Sequence, residues 1–231
     1  INYMKQEHKF LEDDFNSYKK GLELEIKRES QVNGIESTAN YMNTQFDIIN
    51  SILLSCGLIT MENGERHLTD HAELALMVKE ANCLTLTELM LDSNFFDNLT
   101  ALDLGGLFSC YASSGANLDD YEPTNCNNND NLWNTVHSLK KINEKYLERE
   151  TNNQIYSELS YQLCLDWIEL INKWCKAESE DECQDIIRKS TKIFPGEFLK
   201  CILKVHNITK EVGKIAEARN KFNLLEKTKE L

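Results

Sequence analysis

Five lysines near the end of the chain, Lys200, Lys204, Lys210, Lys214 and Lys221, recur at intervals that suit one face of a helix. Wound at roughly 100° per residue, they fall within an arc of about 120°. Phe198, Ile202, Val205, Thr209, Val212 and Ala216 fall on the other side of the same helix. An apolar face anchors such a helix in a core. The opposite, cationic face attracts phosphate, and a row of that kind is a rail for a nucleic-acid backbone or for bases passing along it. The same pattern also describes an ordinary solvated helix surface.

Other chemistry is harder to find. Eight cysteines, at 56, 83, 110, 126, 164, 175, 183 and 201, include no CxxC pair, and most sit among apolar residues. They read as reduced, buried thiols of a cytosolic or nuclear protein. Cys201 with His206 is the nearest approach to a metal pair, but a zinc site wants two such pairs and no second one follows. Gly105-Gly106 lies inside an apolar helical pattern without the lysine of a phosphate-binding loop, so close packing explains it better. Asp181-Glu182 has the composition of a magnesium-holding acidic pair, yet it opens a helix, where acids stabilise the dipole. The five histidines are scattered, with no nucleophile at a helpful spacing. A self-sufficient enzyme is not expected, nor is a cofactor or metal held by this chain.

The elements that position the lysines are mainly helical, since two prolines and nine glycines in 231 residues leave few breakers. Ile1, Met4, His8, Leu11, Phe15, Tyr18 and Leu22 alternate spacings of three and four, a heptad seam that predicts one helix over 1–33 and wants a partner helix. No other segment supplies one, so the partner is expected in sequence preceding Ile1, which would make the chain a fragment. An amphipathic helix on the domain's own core is the alternative. Asn33-Gly34 is expected to end this helix, and a second should run from Ser37 to Cys56, closed by Gly57. Leu58-Ile59-Thr60 and His67-Leu68-Thr69 flank Asn63-Gly64, a hairpin signal. A DNA-binding wing should be basic, whereas this one carries Glu62, Glu65, Arg66 and His67, which favours a structural role.

Helices are then expected over 72–81, over 86–96 with Thr85 and Glu88 as a capping box, over 101–111, over 132–146 and over 163–174. Another should open at Ser179, with Glu182 at capping-box spacing. A last helix should start at Pro195 and run to about 230. Residues 113–131, rich in Asn and Ser, read as an insertion. The expected organisation is a stalk-like helix over 1–35, a helix-plus-hairpin connector over 36–75 and a helical bundle over 76–231.

The net charge of −13 is uneven. Residues 186–231 carry 11 basic and 5 acidic side chains, a balance of +6, against −19 for the remainder. No apolar run reaches the roughly 18 residues of a membrane span, and no secretory signal is seen, so an intracellular protein, cytoplasmic or nuclear, is expected.

Several stretches resemble one family. Leu84-Thr85-Leu86-Thr87-Glu88-Leu89-Met90-Leu91, then Phe95-Phe96, then residues 101–111, from Ala101-Leu102 through Gly105-Gly106 to Cys110-Tyr111, are similar to the "LLTELLF…F…L…AALLSCF" signature of the C-terminal DSHCT domain of superkiller-type DExH RNA helicases. Trp174-Cys175-Lys176, the helix at Glu182–Ile187 and the run from Phe194 to Ile202 resemble that family's "W-x-K-G…F-E-G-S-I-I-R-x-I" stretch. The likeness is collinear over about 46–225.

The resemblance implies a mainly α bundle with one small β-hairpin, packed on the two RecA-like motor domains of the same polypeptide. Its long last helix would face RNA leaving the motor. ATP and magnesium would belong to those motor domains, and exosome-type RNA-processing proteins would be partners. The helix at 1–33 would be the returning stalk of an inserted arch. Lys200 and Lys204 stand where the family has arginines, Leu203 at a third basic position, and His206 and Asn207 where acids are usual. Lysine keeps phosphate attraction but loses planar, bidentate bonding. A helical scaffold that has lost its motor and serves protein contacts is the alternative reading. The 24 asparagines point to an AT-rich coding genome, as in a large DNA virus or a protist, and a virion location would follow if viral.

Overall fold

The computed structural model describes residues 10–112, 131–189 and 194–231. The expected insertion at 113–131 lies outside the described residues, except for Asn131. The heptad positions Ile1, Met4 and His8 lie outside them too. The protein is mainly α-helical with a single two-stranded hairpin among the described residues. It divides into two units, residues 1–52 and 53–231.

Helix α1, Leu11–Ser55, starts in the first unit. It runs straight through Asn33-Gly34, where the sequence predicts a stop. A helical glycine costs only about 1 kcal/mol, and it breaks a helix only when a left-handed residue or a proline follows to redirect the chain. Nothing of that kind follows Gly34, and Thr38 Oγ1 donates to its carbonyl at 2.9 Å within the helix. The seam residues Phe15, Tyr18 and Leu22 are exposed. Within this unit they are not packed on a core.

The second unit begins as α1 ends. Gly57 takes a left-handed φ of 69°, and its N–H and that of Leu58 donate back to Leu54 and Leu53. Strands β1 (Ile59–Glu62) and β2 (Glu65–Leu68) pair antiparallel, with Glu62 opposite Glu65. Asn63 and Gly64 both have positive φ, 52° and 86°, as a type I′ turn requires. The Thr69 hydroxyl donates to the Gly57 carbonyl at 2.8 Å and accepts from Ala72 N–H at 3.3 Å, so one side chain closes the hairpin base and caps α2, Asp70–Met77.

Helices α3 (Cys83–Asp92), α4 (Ala101–Ser109), α5 (Asn131–Asn152), α6 (Trp167–Cys175) and α7 (Glu180–Lys189) follow. Asn82, rather than Thr85, caps α3, its side chain accepting from Leu84 and Thr85 N–H. Glu88 instead pairs with Lys145 on α5. Thr100 and Asp103 form the capping box of α4. The capping pair Ser179 and Glu182 is present, with Glu182 N–H donating to Ser179 Oγ at 3.2 Å. The segment between α5 and α6 has no regular structure and is tied down by amides, Asn82 donating to the Ser160 carbonyl and Asn143 to that of Tyr161.

The core lies where α3, α4, α5 and α6 meet the last two helices. Leu132, Val136, Leu139, Ile142 and Tyr146 are buried, as their spacing predicts. Gly105 and Gly106 are buried in α4, which brings its backbone against Ile168 and Ile171 of α6. The described cysteines are free thiols; Cys110 and Cys201 are buried, and burial pushes the Cys201 thiol up to about 12.

The long last helix is two helices. α8 (Pro195–Ala218) ends where Asn220 adopts a left-handed φ of 54°, with Lys221 N–H returning to the Ala216 carbonyl at 2.8 Å. α9 (Phe222–Glu230) then sets Thr228 against Gly213. Neither proline nor glycine marks this break. An asparagine supplies the left-handed residue at little steric cost.

Candidate nucleic-acid interface

Helix α8 begins with Pro195 in its first turn, where a missing N–H and a fixed φ suit the helix. Phe198 sinks between Trp167 and Trp174, with ring centroids 6.3 and 5.0 Å away. Cys201, Val205, Ile208, Thr209, Val212, Ile215 and Ala216 continue this buried face, with Ile202 half-buried. The rotation of α8 is thereby set, and its remaining residues must face outward.

Four of the five lysines lie on that outward side. Lys200, Lys210 and Lys214 are exposed and join no ion pair among the described residues. Lys204 is half-buried, and its ammonium lies 3.4 Å from Glu80 Oε2. Lys221 leaves the row, because the chain has already turned at Asn220. Its ammonium sits 4.4 Å above the Phe95 ring, a cation–π contact that ties the turn between α8 and α9 to residues 93–97. The row expected of one unbroken helix holds for 200–214 and ends with the helix at Ala218.

The contacts of two α8 residues escape a reading by helical period. Glu211 lies on the cationic side, and its carboxylate accepts the N–H groups of Lys79 and Glu80, at 2.9 and 3.1 Å. Asn207 donates to Glu80 Oε1 at 3.4 Å. These contacts span more than a hundred residues of sequence, so no local pattern announces them. Leu199 and Leu203 are exposed, as is Phe194 just before the helix. Their signal was local: apolar residues at positions out of phase with the buried face.

The remaining candidates are structural. Cys201 is buried while His206 is exposed, so the two point apart and make no metal pair. No cluster of three His, Cys, Asp or Glu suited to a metal occurs among the described residues. Glu180, Asp181 and Glu182 occupy the first turn of α7, where they complement its dipole. One titratable cluster joins α2, α3 and α5. Burial works against the Glu88 carboxylate, but Lys145 and Tyr146 hold it below the usual range. Burial lowers the His71 pKa, and its Nε2 is enclosed without a hydrogen-bond partner. The ion pair bridges two helices, and the Cys56 thiol lies beside Tyr146, with Arg149 Nη1 donating to its Sγ at 2.7 Å, so the cluster clasps α3 and α5 to the residue that follows α1.

No described helix is long and apolar enough to cross a membrane. No curated protein matches the chain. The family profile of the DSHCT (NUC185) domain matches residues 65–231, from β2 to the last residue, and this domain is associated with DExH-box RNA helicases. With the profile covering more than half of its length, and with the bundle and hairpin that the sequence motifs imply, the chain belongs to the DSHCT (NUC185) domain family.

Proposed function

We propose that this chain is the C-terminal accessory domain of an ATP-dependent RNA helicase, where it packs on RecA-like motor domains and guides the translocating strand along the outer face of α8. The carrying observation is the division of that helix into one face sunk in the core and another bearing Lys200, Lys210 and Lys214 in solvent. The chain's charge of −13 sharpens the reading. An acidic body repels a polyanion everywhere except at a local cationic row, so the field itself confines the strand. A few lysines, acting as point charges, give a grip that is sequence-independent and loose enough to slide.

ATP and magnesium belong to the motor domains in this account. Residues of this chain hold neither; they position the strand that the motor pulls. The exposed seam of α1, with Phe15, Tyr18 and Leu22 in solvent, supports a second contact, to a protein. A returning stalk helix paired with a preceding segment fits it, and exosome-type RNA-processing proteins are the partners such an assembly would serve. The test is made in the parent helicase. Lys210→Glu together with Lys214→Glu should lower RNA-stimulated ATPase and unwinding while leaving the fold intact. Unchanged unwinding would refute RNA guidance and leave the protein-contact scaffold.

A further inference from the structure

One of the four α8 lysines is already occupied by the protein itself. Lys204 Nζ and Asn207 Nδ2 each approach one oxygen of the Glu80 carboxylate, both at 3.4 Å. The main chain at Glu80 is held beside α8, because its N–H and that of Lys79 both donate to one Glu211 oxygen. Helix α8 therefore supplies the acid that clamps residues 79 and 80 and also the two donors that receive the Glu80 carboxylate. Exposed ion pairs are weak largely because two long side chains must be ordered to form them. Here the backbone clamp keeps the root of the Glu80 side chain within reach of Lys204 and Asn207. The Lys204 and Glu80 side chains are 31% and 38% exposed, so the pair borders solvent and can exchange partners.

A carboxylate that offers two oxygens to an ammonium and an amide presents the same acceptor chemistry as the two non-bridging oxygens of a phosphodiester. We propose that Glu80 is a built-in phosphate surrogate. It occupies Lys204 and Asn207, so an RNA strand grips Lys200 on one side and Lys210 with Lys214 on the other, and is held weakly between. The gap from Lys200 to Lys210 is ten residues, about 15 Å of helix. A row with its centre masked binds less tightly than its lysine count implies, which suits a strand that must keep moving. The proposal rests on the RNA reading above and assigns Glu80 as the residue that limits the affinity of that grip.

The test is the affinity of the 231-residue chain for a labelled single-stranded polyuridylate RNA, by fluorescence anisotropy, over a salt series. Glu80→Gln keeps the backbone clamp and the amide contact but removes the charge. It should tighten binding about threefold, the scale of one exposed ion pair, and steepen the salt dependence by about 0.7 in log–log slope. Lys204→Gln alone should leave affinity nearly unchanged, and Glu80→Gln with Lys204→Gln should return to the parent value. The proposal is overturned if Glu80→Gln changes nothing, or if its tightening survives in the double variant, since the gain would then be general loss of negative charge. Loss of binding in Lys210→Glu with a silent Glu80→Gln overturns this proposal alone. A parent chain that fails to bind the RNA overturns both it and the reading beneath it.

Discussion

Substituting alanine at each of the two buried glycines of α4 should give opposite results, and the reason is geometric. A Cβ built on Gly106 meets three atoms at once, Asn172 Oδ1 and Leu132 Cδ2 at 3.2 Å and Ile168 Cγ2 at 3.3 Å. Leu132 and Ile168 belong to the packed core and the Asn172 Oδ1 atom is enclosed, while favourable carbon contacts sit near 3.5–4.0 Å. The helix gains about 1 kcal/mol from replacing glycine by alanine. Overpacking a tight site costs about 1–3 kcal/mol. The difference is a net loss of about 1 kcal/mol for Gly106→Ala, or about 3 °C in melting temperature for a domain of this size. At Gly105 the near atom is Leu231 Cδ1, 2.9 Å away, the end of a flexible side chain at the last residue. It can move aside, so Gly105→Ala should be neutral or stabilising. Gly196→Ala, with nothing within 4 Å, is the open-space control. Urea unfolding followed by circular dichroism reads all three. A Gly106→Ala protein as stable as the Gly196→Ala control would refute the close approach of α4 to α6.

Two further outcomes follow from capping and titration. Asn82→Ala removes the acceptor for two α3 N–H groups and the donor to the Ser160 carbonyl, and should lower unfolding free energy by about 1–2 kcal/mol in the same urea assay. Burial holds His71 below its usual 6.5, so the unfolded chain takes up that proton first, and stability should decline as pH falls below 6.5. Glu88, held below 4.5 despite its burial, keeps its contribution until pH falls past that value. Thermal melts over a pH series should therefore lose stability in two stages, the first abolished by His71→Gln and the second by Glu88→Gln.

Local chemistry made part of this molecule legible in advance. Asn63-Gly64 announced the hairpin because type I′ geometry demands two positive φ values, and few residue pairs accept them. The buried faces of α5 and α8 followed from periodicity, since a helix with one dry side must repeat at 3.6 residues. Helix limits were harder to read. Gly34 looks like a stop but lacks the left-handed neighbour geometry that makes one, whereas Asn220 is a stop without looking like one. Thr85 with Glu88 has the spacing of a capping box, but Lys145, 57 residues away, claims the glutamate instead. The lysine row was visible as a pattern. Its masking by Glu80 was not, because that contact depends on a fold-level meeting of residues 79–80 with α8.

Direct RNA binding by the 231-residue chain tests the central claim most closely. Anisotropy titrations of single-stranded RNA should show an affinity that falls with salt. Lys210→Glu with Lys214→Glu should weaken it at every sequence tested and flatten the log–log salt slope by at least about 1.4, the loss of two single-strand phosphate contacts. A double variant that binds RNA with the parent's affinity and salt slope would contradict the assignment of α8 as the RNA-facing helix.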